Sequence, residues 1–257
     1  MIYFKYIRMV LKTMFQYRLN LLLQAIGQIM NVGLMFAGIA LMFARFGRLD
    51  DWSFGEAALC FAITTAAWSI TECFARGFDV FSGYIRQGTF DRVLLRPRST
   101  VLQVLGSEFE VMRLAKVVVA GVILAIAIGY AGVVWNAAKA FTLAFMVFGG
   151  VFIFSGIFIL GAAVCFRTVD GLEFINIFTY GGRELSSYPL TIYSKWLRRF
   201  FTFIIPFGCM NYLPLLYITG RADNPLYALT PLFGIVFIVP CLLVWRLGVR
   251  HYLSTGN

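Results

Sequence analysis

Six long runs of mostly apolar residues dominate the sequence, at about residues 21–43, 57–72, 111–134, 140–166, 200–218 and 226–247. A helix needs ~20 such residues to cross the hydrocarbon of a bilayer. Lipid offers backbone N–H and C=O groups no partners, so a spanning chain must be helical or close into a barrel. The runs lack the alternating pattern of barrel strands. They predict an all-α polytopic membrane protein with about six transmembrane helices. The composition agrees: 60% of the 257 residues are hydrophobic and 13% are charged, against roughly 25% charged in a soluble domain. Six spans and their links nearly exhaust the chain, so residues 1–257 read as one membrane domain with no separate soluble catalytic unit.

Before the first run, Lys5, Arg8 and Lys12 recur at helical spacing, away from Ile2, Phe4, Ile7, Leu11 and Phe15. This predicts an amphipathic helix over about residues 1–20 lying in the interface, basic side toward headgroups. The following apolar run is too long for the core of a signal peptide. Basic residues set orientation, because cytoplasmic loops collect Lys and Arg. With the N-terminus inside, 18 of the 22 Lys and Arg fall on the cytoplasmic side and 4 outside. Both termini are then cytoplasmic, with long cytoplasmic links at about 76–110 and 167–199. The net charge of +10 thus marks a membrane side and does not point to nucleic acid.

Catalytic chemistry finds little to work with. The five cysteines lie in or beside apolar runs with no CxxC pair, and the single histidine is His251. This spacing supports neither a disulfide framework nor a metal site. No G-x-x-x-x-G-K-[ST] is present, so the chain lacks that phosphate-cradling loop and reads as a non-enzyme.

The first long link contains Phe81-Ser-Gly-Tyr-Ile-Arg-Gln-Gly-Thr-Phe-Asp-Arg-Val-Leu-Leu-Arg-Pro-Arg98. Phe90, Val93 and Leu94 share one helical face and Asp91 and Arg92 another; Thr89 can start the turn and Pro97 stops it. The residues alone predict a short amphipathic helix at the membrane surface, either contacting a cytoplasmic partner or anchoring a loop in lipid. The run Gly88-Thr-Phe-Asp-Arg-Val-Leu-Leu-Arg-Pro97 resembles the G-x-hydrophobic-D-x-x-L-L-R-P signature of a subgroup of ABC-2-type permeases. Tyr188-Pro-Leu-Thr-Ile-Tyr193, Leu197-Arg198, Ile205-Pro-Phe207 and Asn211-Tyr-Leu-Pro214 resemble the same subgroup, with Asn211 more polar than that pattern leads one to expect.

The resemblance implies the ABC-2-type exporter permease fold and a transmembrane subunit of an ATP-binding-cassette transporter in a bacterial inner membrane. It implies two cytoplasmic ATPase subunits, which bind the ATP and magnesium, and a second permease: a related distinct chain, otherwise a second copy. This chain would carry no cofactor. The link between the second and third spans is where such permeases touch the ATPase. That places ATPase coupling on Tyr84, Arg86, Phe90, Asp91, Leu94, Leu95 and Arg96, with Gly88 and Pro97 shaping the element. The cargo implied is amphipathic: lipid-like molecules, drugs or peptides.

Other polar groups sit near or within the runs. Glu72 and Arg76, four residues apart, can pair on one helix face as a functional site, or can snorkel to the interface. Glu56 reads as interfacial, and Glu108, Glu110, Arg113 and Lys116 as boundary anchors of the third span. Pro206 and Pro214 interrupt the fifth run, Pro231 and Pro240 the sixth; each removes a backbone donor and invites a kink. Glu72, Arg76, Pro206, Asn211 and Pro214 are therefore the candidates for a translocation path or hinge. Gly33 with Ala37, and Gly149 with Gly150, allow close helix packing. In the second link Asp170 and Glu173 resemble a helix start and Gly181-Gly182 a stop. The piece between is too short to span; it would lie in the interface or contact the ATPase. A stand-alone channel or secondary transporter is the alternative function, although the internal repeats common there are absent. A membrane enzyme would need a polar constellation that the sequence does not assemble.

Overall fold

The computed structural model describes residues 18–48, 51–108, 113–168 and 175–253, and every regular element among them is helical. The expected interfacial helix lies outside these residues apart from its last three positions, as do Glu110, Asp170 and Glu173. Helix α1 spans Arg18–Phe46 and α2 spans Phe54–Phe74. Four short helices follow: α3 (Arg76–Asp79), α4 (Phe81–Arg86), α5 (Phe90–Leu94) and α6 (Thr100–Ser107). Next come α7 (Leu114–Tyr130) and α8 (Ala137–Val164). A π-turn at Ile177–Gly181 leads into α9 (Gly182–Ser186). The chain continues as α10 (Lys195–Phe203), a second π-turn at Gly208–Tyr212, α11 (Leu213–Ile218), α12 (Leu226–Leu229) and α13 (Phe233–Arg250).

Helix α2 is the centre of the bundle. Its sequence is rich in Ala, Thr and Cys on all sides, and an all-round apolar helix of small residues suits complete enclosure. Only the first turn and the last residues reach the surface. Its start is fixed by a capping box in which Ser53 N–H donates to Glu56 Oε2 at 2.8 Å and the Ser53 hydroxyl accepts from the Glu56 backbone. Helix α7 packs along one side of α2 and α8 along another, with α13 against α8. The α8–α13 crossing needs glycine on both helices. A Cβ on Gly234 would lie 2.3 Å from the Gly149 carbonyl oxygen, and one on Gly149 would lie 2.2 Å from that of Pro231. Gly150 packs as tightly, against Met210 and Ala67. Gly33 does not: the space beside it is open, and α1 packs instead through Val32, Ile39 and Phe43.

Among the described residues four helices are long and apolar enough to cross a bilayer: Ile26–Phe46, Phe54–Phe74, Ala137–Val164 and Leu226–Arg250. Helix α7 is as apolar but has 17 residues, about 25 Å at 1.5 Å per residue. The expected fifth span, residues 200–218, is not one helix: Lys195–Phe203 and Gly208–Ile218 meet at 87°. Pro206, which cannot donate to a helical ladder, sits in the bend.

Contacts with α2 trace where this part of the chain goes. Tyr180 lies at one end, its ring 5.2 Å from Trp68 and its hydroxyl 3.5 Å from Asp79. Ser186 is halfway, its carbonyl accepting from Thr64 Oγ1 at 2.8 Å. Thr191 reaches the other end, accepting from Trp52 Nε1 at 2.7 Å. The segment expected to be too short and to remain in a cytoplasmic link therefore runs the length of α2. Residues 195–218 then form a hairpin that dips in and returns, since Arg221 is back at Trp52, 4.3 Å above its ring. Residues 226–250 run the other way, to Trp245, which packs on Phe78, Phe81 and Phe166. Six segments thus connect a Trp52 end and a Trp245 end, with the re-entrant hairpin wedged among them.

Candidate functional site

At the Trp245 end, α3 to α6 build a ledge. Phe90 is fully buried, with ring centroids 5.1 Å from Phe81, 5.3 Å from Phe166 and 5.1 Å from Tyr252. It therefore anchors α5 and presents nothing to a partner, contrary to its expected contact role. Gly88, at φ 62°, supplies the left-handed turn between α4 and α5 that other residues resist. Gln103 of α6 donates to the carbonyls of Val93 at 3.0 Å and Arg98 at 3.1 Å, pinning the strap between α5 and α6. On that strap Leu94, Leu95, Arg96, Pro97 and Arg98 are exposed, Leu95 at 84%. Asp91 is half-buried and engaged within the fold, and Arg86 is exposed on α4. Tyr84 donates to Glu108 at 3.4 Å. It helps line a groove of about 1070 Å³ with Thr89, Arg92, Arg96 and Leu102.

Glu72 sits where α2 meets this ledge and is 4% exposed. Lys116 Nζ donates to its Oε2 at 2.7 Å, Arg113 to its Oε1 at 3.1 Å, and Arg76 stands 3.8 Å away. Arg76 also pairs with Asp79, which accepts from Tyr180. Burial pushes the Asp79 carboxyl above its ordinary range, and the Arg76 guanidinium pulls it part of the way back. Glu72 is thus no snorkelling side chain, and Arg113 and Lys116 are not mere boundary anchors. The three cations and two carboxylates tie α7 to α2 and α3. Local spacing revealed only the Arg76 pair; the other partners lie 41 and 44 residues away.

Asn211 does not line an opening in this chain. It is 2% exposed, and its Nδ2 reaches the Cys60 carbonyl at 3.1 Å, Thr64 Oγ1 at 2.9 Å and the Ser186 carbonyl at 2.8 Å. One amide so stitches the hairpin to α2 and to the segment beside it. Pro214 lies in the first turn of α11, directly after the π-turn, and breaks nothing. Pro206 alone of the pair shapes a bend. At the Trp52 end Arg221 grips Glu56 with two hydrogen bonds, 3.0 and 2.8 Å, and donates to the Asp51 carbonyl at 2.6 Å. Glu56 is thus the receiving half of a clamp on the hairpin's exit.

Sequence reasoning also passed over Arg183 and Glu184, midway along α2. The Arg183 guanidinium lies 5.5 Å above the Trp68 ring and its Nη2 is 3.5 Å from Met35 Sδ. Its Nε is buried without an acceptor among the described residues. Glu184 points outward and is exposed, on a stripe with Ile177 and Tyr180. Two adjacent opposite charges were the available signal, because a guanidinium buried in the fold needs compensation. A family model described as "ABC-2 family transporter protein" matches residues 29–256. No curated protein and no solved structure matches the chain.

Proposed function

Because the chain belongs to the ABC-2 family of transporter proteins, we propose that it is the permease subunit of an ATP-driven exporter of amphipathic cargo. It is a membrane-integral transport subunit; the ATPase subunits, the second permease and the direction of transport are the parts proposed. The carrying observation is the ledge at the Trp245 end. A leucine exposed at 84% and flanked by arginines, on a strap pinned by Gln103 and rooted by buried Phe90, has the makeup of a partner surface: an apolar anchor with a charged rim. The ATPase docks there, with Leu94, Leu95 and Arg96 in contact, Tyr84 and Arg86 alongside, and Asp91, Gly88 and Pro97 holding the strap's shape.

Six crossings result if residues 175–192 are the fifth and 226–250 the sixth. The Trp245 end is cytoplasmic on this reading, in a bacterial inner membrane with both termini inside. The hairpin moves Lys195, Arg198 and Arg199 toward the Trp52 side, so charge asymmetry supports this less than the raw sequence does, and the arginine-bearing ledge supports it more. The outward stripe of Ile177, Tyr180 and Glu184 supports a translocation path or second permease on that face, since a mid-depth carboxylate turned to lipid is costly.

The test is a gentle detergent pull-down of the tagged chain from its native cells, followed by mass spectrometry. A P-loop ATPase and a second permease in comparable amounts support the exporter. Recovery of the chain alone, or with copies of itself only, would return the weight to a stand-alone channel or secondary transporter, which the re-entrant hairpin also suits.

A further inference from the structure

A second groove, of about 610 Å³, lies between the first turn of α6 and the last turns of α13. Its floor is the buried Trp245, fixed in place by a 3.2 Å hydrogen bond from Nε1 to Thr100 Oγ1. Its walls are apolar: Val101 and Leu102 on one side, Leu242 and Val249 on the other. Arg246 and Arg250 stand on its rim, one helical turn apart and both exposed. Neither has a carboxylate partner among the described residues. Opposite them, α6 begins at Ser99, whose side chain makes no capping bond, so the helix's first N–H groups add positive potential facing the same space.

An apolar slot ending in two guanidiniums with no carboxylate partner among the described residues, at the end of an apolar helix, matches one chemistry. We propose that this groove binds one anionic phospholipid. Its phosphate is held by Arg246 and Arg250, and one acyl chain lies along Leu102, Leu242 and Val249. Arginine forks suit phosphate oxygens, and basic pockets between helices on the cytoplasmic side favour anionic headgroups. A zwitterionic lipid offers the same phosphate, but its own ammonium adds a third cation to the site, so net charge favours the anionic headgroup. The ledge that carries the proposed ATPase contact continues from this groove through Arg98 and Ser99, so the bound lipid would buttress the strap from behind. The leaflet rests on the orientation proposed above; the chemistry of the groove does not.

Native mass spectrometry of the full-length chain tests it, with phosphatidylglycerol and phosphatidylcholine of identical acyl chains as probes. The wild type is expected to retain phosphatidylglycerol at least about tenfold better. R246Q/R250Q should abolish that preference and leave phosphatidylcholine retention unchanged. L102W, which keeps both arginines but fills the slot, should lower retention of both lipids. R45Q/R48Q, removing equal charge at the opposite end, should change nothing. Equal retention of the two lipids by the wild type overturns the proposal. So does preference surviving in R246Q/R250Q, or an equal loss in R45Q/R48Q, which would reduce the effect to net charge. Displacement of the lipid by glycerol 3-phosphate would show a free-phosphate site instead and also overturn it. None of these outcomes bears on whether an ATPase co-purifies, so the two readings fail separately.

Discussion

Replacing Glu72 by Gln removes the carboxylate that accepts from Lys116 and Arg113, at 2.7 and 3.1 Å. Arg76 keeps Asp79. Stranding a buried charge by deleting its partner costs ~3–5 kcal/mol. Here the Lys116 side chain is 19% exposed, so water relieves part of that. A loss of about 2–3 kcal/mol follows, or roughly 5–10 °C in the melting temperature of a chain this size. The assay is thermal unfolding of the purified protein in detergent, followed by intrinsic tryptophan fluorescence. Adding Lys116→Met to Glu72→Gln removes one stranded cation and should recover about half of the loss. The double-mutant cycle isolates the pair, with a coupling of ~1–3 kcal/mol expected for neighbours in one network. A Glu72→Gln protein that melts within 1 °C of wild type, or a cycle without coupling, would refute the view that this network joins α7 to α2.

Asn211→Leu should destabilise by about 1–3 kcal/mol, because the Cys60 carbonyl loses its amide donor in a buried site; the same melting assay reads it. Gly234→Val forces a side chain into the Gly149 carbonyl, 2.3 Å from where its Cβ must sit; overpacking of ~1–3 kcal/mol or more should appear as aggregation in size-exclusion chromatography. Arg221→Met frees the hairpin's exit and should speed hydrogen exchange over residues 208–221 without moving the global melting point by more than a few degrees. Asp91→Ala and Arg96→Ala should insert normally yet weaken ATPase attachment or uncouple hydrolysis from transport. Normal transport in both would remove the ledge from the coupling role.

Hydropathy found α1, α2, α7, α8 and the α12–α13 segment nearly in place, because each is a long apolar run. The fifth run departs most from the expected single helix, for a physical reason. Residues 175–192 carry Arg183 and Glu184 and the pair Gly181-Gly182, which together look like the end of a helix. In the fold Gly182 is small enough to pack against the Phe207 ring, and Arg183 lies on Trp68. Residues 200–218 are more apolar and looked like the better span, but the bend at Pro206 folds them back. The motif falls on α5 and the strap after it, yet nothing in it distinguished buried Phe90 from exposed Leu95; that depends on Phe166, Trp245 and Tyr252, far away in sequence.

Thr191 and Arg221 both close on the indole of Trp52. The stretch between them therefore leaves the frame and rejoins it at a single side chain. Such a stretch is a keystone: it begins and ends at one indole, and between those seams Met210 and Asn211 bear on Gly150 and α2 from inside the bundle. The ledge of α3 to α6 lies at the Trp245 end, and the two seams close at the opposite one. A graft of residues 192–220 therefore has to keep Met210 and Asn211 as well as the two seams, because both side chains bear on the surrounding elements.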